Sequence, residues 1–165
     1  MLYTDNRTTI RFANETDVPQ ILSFIKDLAE YEGLLDKVEA TEEIIFQAIF
    51  QNKSAEAILC EFDAKPAGFA LFFHNYSTFL GRSGLYLEDL YVKPEYRHQG
   101  LGKKILSVLS KIAIDRNCKR MEWSCLNWNK KSIDFYLGLG AQAMKEWTLY
   151  RLEGNALVTN AEQIQ

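Results

Sequence analysis

The chain has 165 residues, which is enough for one domain with a proper core and little more. Its residues are 47% apolar and 25% charged, an ordinary globular balance, and a net charge of −3 argues against a nucleic-acid partner, which needs a basic face. No window reaches eighteen consecutive apolar residues and the start "MLYTDNRTTI" holds no apolar run, so neither a membrane partner nor a signal peptide is expected and the reading is cytoplasmic.

In chain order, "TIRFA" (9–13) reads as a first strand. "ETDVPQILSFIKDLAEYEG" follows as a helix, with Pro19 in its first turn, an apolar stripe of Ile21, Leu22, Ile25 and Leu28, and Gly33 as its stop. "TEEIIFQAIF" (41–50) reads as a shorter helix capped by Thr41. "AEAILCEF" and "AGFALFFH" read as two strands around the turn "DAKP", and "GLYLEDLYV" (84–92) as a further strand. "GLGKKILSVLSKIAIDRN" is a helix with Leu101, Ile105, Val108, Leu109 and Ile112 on one face. "KRMEWSCL" reads as a strand, "NKKSIDFYLGLG" as a short helix, and "AMKEWTLYRLEG" as one or two final strands. The order β-α-α-β-β-β-α-β-α-β predicts an α/β fold with a mixed central sheet and helices on both faces, as a single domain over 1–165.

Cys60, Cys118 and Cys125 form no C-x-x-C pair, and their odd number and wide spacing fit reduced thiols in a cytoplasm. His74 and His98 lie far apart, and no metal site is expected.

The richest stretch is "VKPEYRHQGLGKKIL" (92–106). A Walker loop would need glycine at Arg97 and Ser or Thr at Lys104, and a dinucleotide fingerprint would need glycine at Ile105, so both patterns fail. What remains is R-x-x-G-x-G at Arg97, Gly100 and Gly102, after a strand and opening an amphipathic helix. Glycines let backbone approach a ligand closely. The first N–H groups of a helix have no intrahelical partner and, with the helix dipole, make a site for a pyrophosphate. Lys103 and Lys104 add positive charge nearby. A plain glycine-containing turn is the competing reading of the same residues.

"LYLEDLYVKPEYRHQGLGKKIL" resembles the acyl-CoA-binding motif of the GCN5-related N-acetyltransferases (GNAT), whose signature is Q/R-x-x-G-x-G/A. Within that superfamily the chain resembles the spermidine/spermine N-acetyltransferases and their thialysine acetyltransferase relatives. "DLAEYEGLLDKVEATEE", "NWNKKSIDFYLGLGA" and the late "EW" fall in the expected order around it. The resemblance implies a GNAT fold with splayed central strands and acetyl-CoA as cosubstrate. It implies that backbone N–H groups of His98, Gln99, Gly100, Leu101, Gly102 and Lys103, with Arg97, hold the pyrophosphate. It further implies that backbone amides from Leu90 to Val92 polarise the thioester carbonyl, and that the protein is a homodimer, with the C-terminal strands and "NYSTFLGRSG" as contact regions.

Asn129, Ser132 and Tyr136, spaced i, i+3, i+7, lie on one face of a helix. A phenol beside a leaving thiolate can protonate it. The resemblance gives that role to Tyr136 and coenzyme contacts to Asn129 and Ser132. Read without it, Tyr136 is equally a core tyrosine, Asn129 a helix N-cap and Ser132 an exposed hydroxyl.

"LYLEDLYV" is apolar except for Glu88 and Asp89, and acids in a central strand are costly unless paired or used. Adjacent strand residues point to opposite faces, so the two are expected to do different jobs. A primary amine attacks only when deprotonated, which at pH 7 costs roughly 4.6 kcal/mol, a carboxylate being a suitable acceptor for that proton. The resemblance points to Glu88 as the base or substrate anchor, with Asp89 beside it. From Asp27 to Glu43 seven acids face one Lys37, a charge run that steers a cation inward if it lines the site. Tyr31 and Glu32 match the family's "YE" and are the expected substrate contacts there.

Two departures bear on the acceptor. Leu137, Gly138 and Leu139 stand where the polyamine enzymes carry basic residues, and Lys145-Glu146 precede Trp147 where an acidic pair is usual. A lysine there disfavours a long polycation, which brings thialysine, lysine-like compounds and short diamines level with polyamines. An aminoglycoside or protein N-terminus as acceptor, a non-catalytic acetyl-CoA sensor, and a nucleotide-binding protein are the rival readings.

Overall fold

Six strands form one sheet in the order β1-β2-β3-β4-β5-β6, in a computed structural model that describes residues 1–164. They are β1 (Tyr3–Thr4), β2 (Thr8–Phe12), β3 (Glu56–Phe62), β4 (Lys65–Ser77), β5 (Arg82–Val92) and β6 (Met121–Trp123). Neighbours are antiparallel except β5 and β6, which run parallel, so the sheet is mixed as expected. The β3–β4 hairpin closes through Asp63 and Ala64, both left-handed at φ 50° and 59°, the backbone that a two-residue hairpin turn requires.

Helices cover both faces. On one side α1 (Val18–Glu32), α2 (Glu42–Phe46) and the turn that follows it pack on the sheet through Val18, Ile21, Phe24, Ile45 and Ile49 against Ala57, Leu59, Phe69 and Tyr91. The Phe24 and Phe69 rings stack at 5.4 Å. Burying Val18, Ile21 and Phe24 contributes about 1.5–3 kcal/mol apiece. Gly33, at φ 73°, ends α1 in the left-handed conformation, and Thr41 caps α2 by accepting the Ile44 N–H. The helix begun by α2 continues as a π-helical turn over Gln47–Gln51, one residue past the range predicted for it.

On the other face lies α3 (Leu101–Asp115), burying Leu101, Ile105, Leu106, Val108, Leu109, Ile112 and Ala113. The predicted stripe is therefore the buried one. Lys104, on its first turn, reaches across to β1–β2, donating to Asp5 at 2.7 Å and Thr8 at 2.8 Å.

The described chain falls into two compact units, Met1–Ser124 and a second beginning at Cys125. The second carries α4 (Lys130–Gly138) and α5 (Gly154–Ala161). The strands expected in "AMKEWTLYRLEG" do not form: residues 141–153 contain no strand, and the turn there is held by Lys145 N–H to Ala143 and Trp147 N–H to Met144. A strand exists through a neighbour's hydrogen bonds, and among the described residues none pairs with this stretch. The tail assigned to no element is instead helical in α5.

Candidate active site

The sheet is irregular where the acids sit. Leu71 of β4 pairs with Asp89, whereas the next residue, Phe72, pairs with Leu87. Glu88 is therefore the extra residue of a β-bulge, and the side-chain alternation of β5 resets across it. Asp89 and Tyr91 lie opposite Leu71 and Phe69 on the face covered by α1, while Leu87, Leu90 and Val92 lie opposite Phe72, Ala70 and Gly68 on the other face. Plain alternation predicts Leu87, Asp89 and Tyr91 together; the bulge separates Leu87 from the other two. Different surroundings for the two acids do follow: Glu88 is exposed and Asp89 largely covered.

Asp89 shares its surroundings with two other acids. Burial, then the charges of Glu88 and Glu32, push its carboxyl up to about 6. Glu32, at the last position of α1, is itself raised by burial. Three carboxylates are thus gathered at the junction of the bulge and the C-terminal end of α1, a place of negative potential that a cation relieves. The same three acids, Glu32, Glu88 and Asp89, were singled out in the sequence as expected substrate contacts. That burial and like-charged neighbours raise the Asp89 carboxyl follows from the fold.

Beside the bulge the sheet opens. The parallel pairing of β5 and β6 covers only Leu85–Met121, Tyr86–Glu122 and Leu87–Trp123, while β5 runs on to Val92. Lys93 donates its N–H to Ala67 on the β4 side, and the Val92 carbonyl turns away to accept from Arg97. Backbone groups alternate along a strand. The N–H groups of Leu90 and Val92 therefore point away from β4, toward the side on which β6 has ended. This divergence is the expected splay, and these two amides are the donors it presents. Gly68 makes the close approach of β4 possible here: a Cβ on it would lie 2.5 Å from the Tyr91 carbonyl oxygen. Sequence reasoning passed over Gly68, and only its position inside a strand signalled it.

Past Val92 the chain makes a 3-10 turn at Pro94–Tyr96 and enters the glycine loop. His98 is left-handed at φ 63° and Gly100 at φ 76°, directly before Leu101 begins α3. These conformations curl the backbone so that the first turn of a fifteen-residue helix opens onto the loop. His98, Gln99, Gly100 and Lys103 are exposed, Gly102 is half-buried, and Leu101 is 1% exposed, pinning the helix start to the core. The first turn of α3 thus begins at an exposed loop. Two basic residues of this stretch have partners within the protein. Lys104 is engaged by Asp5 and Thr8, and Arg97 lies against Val92, Tyr31 and Tyr91.

In the second unit Asn129 is 9% exposed and caps α4, its side-chain oxygen accepting the Ser132 N–H at 3.3 Å. Ser132 and Tyr136 follow on the same helix, half-buried, with the Tyr136 ring 5.3 Å from that of Phe135. Among the described residues no group of three or more His, Cys, Asp or Glu is arranged as a metal site, and no helix is long and apolar enough to cross a membrane. Cys60, Cys118 and Cys125 are unbridged.

A bulge that exposes one acid, a splayed strand pair with two outward amides, and a glycine loop opening a helix thus follow one another along β5 and into α3. A sequence model of the Acetyltransferase (GNAT) family matches residues 21–141. The thialysine N-epsilon-acetyltransferase of Bos taurus is 39% identical over 160 residues, covering 90% of this chain and 94% of its own length. The L-ornithine N5-acetyltransferase of Arabidopsis thaliana is 32% identical over 194 residues, covering 90% and 85%. An integron cassette protein of known structure from the mobile metagenome of V. cholerae superimposes with a TM-score of 0.80 at 26% identity, over 96% of this chain and 99% of its own. The chain belongs to the GNAT acetyltransferase family, and its fold is the GNAT fold. It is an acetyl-CoA-dependent amine N-acetyltransferase.

Proposed function

We propose that the acceptor is the primary amine of a small cation, of the thialysine, lysine-like or short-diamine kind, and that Glu32, Glu88 and Asp89 receive it. The observation that carries this is the gathering of three carboxylates at the bulge, with the Asp89 carboxyl raised to about 6 by burial and its like-charged neighbours. A bound ammonium lowers that repulsion, so the pocket selects positive charge. The names of the relatives, thialysine and ornithine acetyltransferases, agree with a short cationic acceptor. Polyamines belong to the same reading through a human relative named spermidine/spermine N(1)-acetyltransferase-like protein 1, and Lys145 weighs against the longest of them.

In this reading Tyr31 and Glu32 line the amine's approach and Asp89 anchors it. Glu88, the exposed bulge residue, takes the proton directly or through water. Acetyl-CoA supplies the thioester. The backbone N–H groups of His98 to Lys103 hold its pyrophosphate, and those of Leu90 and Val92 stabilise charge on the thioester oxygen. The amine nitrogen forms its bond to the carbonyl carbon, the carbon–sulfur bond breaks, and the thiolate takes a proton from Tyr136. Asn129 and Ser132 complete the coenzyme contacts while Asn129 also caps α4. The residues form one acetyltransferase domain over 1–165, needing no metal, in a cytoplasmic homodimer. Trp147, Leu149 and Tyr150, each at least 75% exposed, together with the apolar hairpin tip at Phe79, are the surfaces a second copy would cover.

The test is release of CoA from acetyl-CoA with a panel of thialysine, lysine, ornithine, putrescine, spermidine, spermine, an aminoglycoside and a peptide N-terminus. Turnover concentrated on the short cations supports the proposal. Preference for the aminoglycoside or peptide overturns the acceptor, and tight acetyl-CoA binding without turnover on any amine leaves a sensor.

A further inference from the structure

The side chain of Arg97, the first residue of the glycine-loop signature, is occupied within the protein. Its Nε donates to the Val92 carbonyl at 3.0 Å. Its guanidinium carbon lies 5.0 Å from the centre of the Tyr31 ring and 5.9 Å from that of Tyr91. A guanidinium bonds in its plane and stacks on its faces, so one side chain serves all three contacts. The partners belong to different parts of the site. Tyr31 is the penultimate residue of α1, next to Glu32; Tyr91 and Val92 end β5, two and three residues beyond Asp89. Tyr91 is 6% exposed and its ring lies 6.1 Å from Phe24 of α1. Arg97 is followed at once by left-handed His98, so its placement sets where the loop's backbone turn begins.

We infer that Arg97 is a positioning residue that couples the amine side of the site to the coenzyme loop, with the Tyr31 ring as the far end of the coupling. The chain of contacts runs from α1 through the Tyr31 ring and the Arg97 guanidinium to the Val92 carbonyl and the loop. The aromatic ring of Tyr31 thereby contributes to acetyl-CoA binding although it belongs to the amine's approach. By reciprocity, coenzyme held on the loop favours the α1 end in the position that presents Glu32. The inference rests on the glycine loop being the coenzyme site.

Calorimetric titration of acetyl-CoA, with no amine present, separates the possibilities. The proteins are the wild type, Arg97→Lys, Tyr31→Phe, Tyr31→Leu, Tyr31→Met and the double variant Arg97→Lys/Tyr31→Leu. Tyr31→Phe keeps the ring and is expected to bind acetyl-CoA within twofold of wild type. Tyr31→Leu and Tyr31→Met remove it and are expected to weaken binding about two- to fivefold, the worth of one partly exposed cation–π contact. Either variant suffices should the other fail to fold, as judged by its melting curve. Lysine keeps the charge but lacks the planar fork that bonds Val92 and stacks on Tyr31 together, so the loss from Tyr31→Leu is expected to be smaller in the Arg97→Lys background than in the wild type. Unchanged acetyl-CoA affinity in Tyr31→Leu and Tyr31→Met, or fully additive losses in the double variant, would overturn the coupling. A wild-type protein that binds no acetyl-CoA would instead remove the loop assignment, and the inference with it.

Discussion

Replacing Asp89 with asparagine should make the protein more stable and a worse enzyme, and the stability gain should depend on pH in a defined direction. Burial and the charges of Glu88 and Glu32 raise the Asp89 carboxyl from 3.8 to about 6. That rise corresponds to about 3 kcal/mol by which the folded state disfavours the ionised form. Because the folded value lies above the unfolded one, the folded protein binds the extra proton. The group's favourable contribution is complete below about pH 4 and is lost as the pH rises through about 6. An asparagine in its place carries no charge, so at pH 8 the variant should be more stable by about 1–3 kcal/mol once side-chain relaxation and solvent access are allowed for. For a chain of this size that is about 3–9 °C in melting temperature. The difference should be roughly halved at pH 5 and absent below about pH 4. Melting curves of both proteins from pH 8 to pH 4 provide the assay, and groups common to both cancel in the difference. The same carboxylate attracts the ammonium, so kcat/KM for the amine should fall in the variant, and the wild-type acid limb near pH 6 should flatten. A variant less stable than wild type at pH 8, or a gain that does not change with pH, would refute the reasoning.

Tyr136→Phe should lower kcat by about 10²–10⁴ with little change in the acetyl-CoA dissociation constant, since it removes the proton donor and leaves the ring; steady-state kinetics beside calorimetry checks both. Asn129→Ala should cost about 0.5–2 kcal/mol through loss of the α4 cap, read as a lower midpoint in urea. Lys103→Gln should weaken acetyl-CoA binding and reduce its salt dependence. Lys104→Gln should chiefly lower the melting temperature, because its ammonium already bonds Asp5 and Thr8. Gly100→Ala meets no atom within 4 Å of its new Cβ, so its effect should be the left-handed backbone penalty of about 1–2 kcal/mol, measured as loss of stability and of coenzyme affinity together.

The elements with strong local signals were legible in the chain itself. Period 3.6 in α1 and α3, Gly33 and Thr41 as stop and cap, and Gly100 before α3 act within a few residues, and the folded protein uses them as read. Glu88, Asp89 and the loop were likewise visible as residues out of keeping with a plain core, and Tyr31 and Glu32 were visible through the family resemblance. What the sequence could not determine was whatever depends on a partner distant in the chain. A bulge is a mismatch between two strands, so the reset after Glu88 that sends Asp89 to the α1 face needed the β4–β5 register. The charge of Lys104 was counted for the coenzyme, but Asp5 lies 99 residues away and takes it. Arg97 was read toward the coenzyme; that its guanidinium also lies against Tyr31 at the end of α1 needed the fold. One or two strands were expected in "AMKEWTLYRLEG", but a strand needs an edge to pair with, and none among the described residues supplies it. Local conformation follows from near neighbours, whereas the use made of a charge, an amide or an edge follows from which distant residue the fold brings to it.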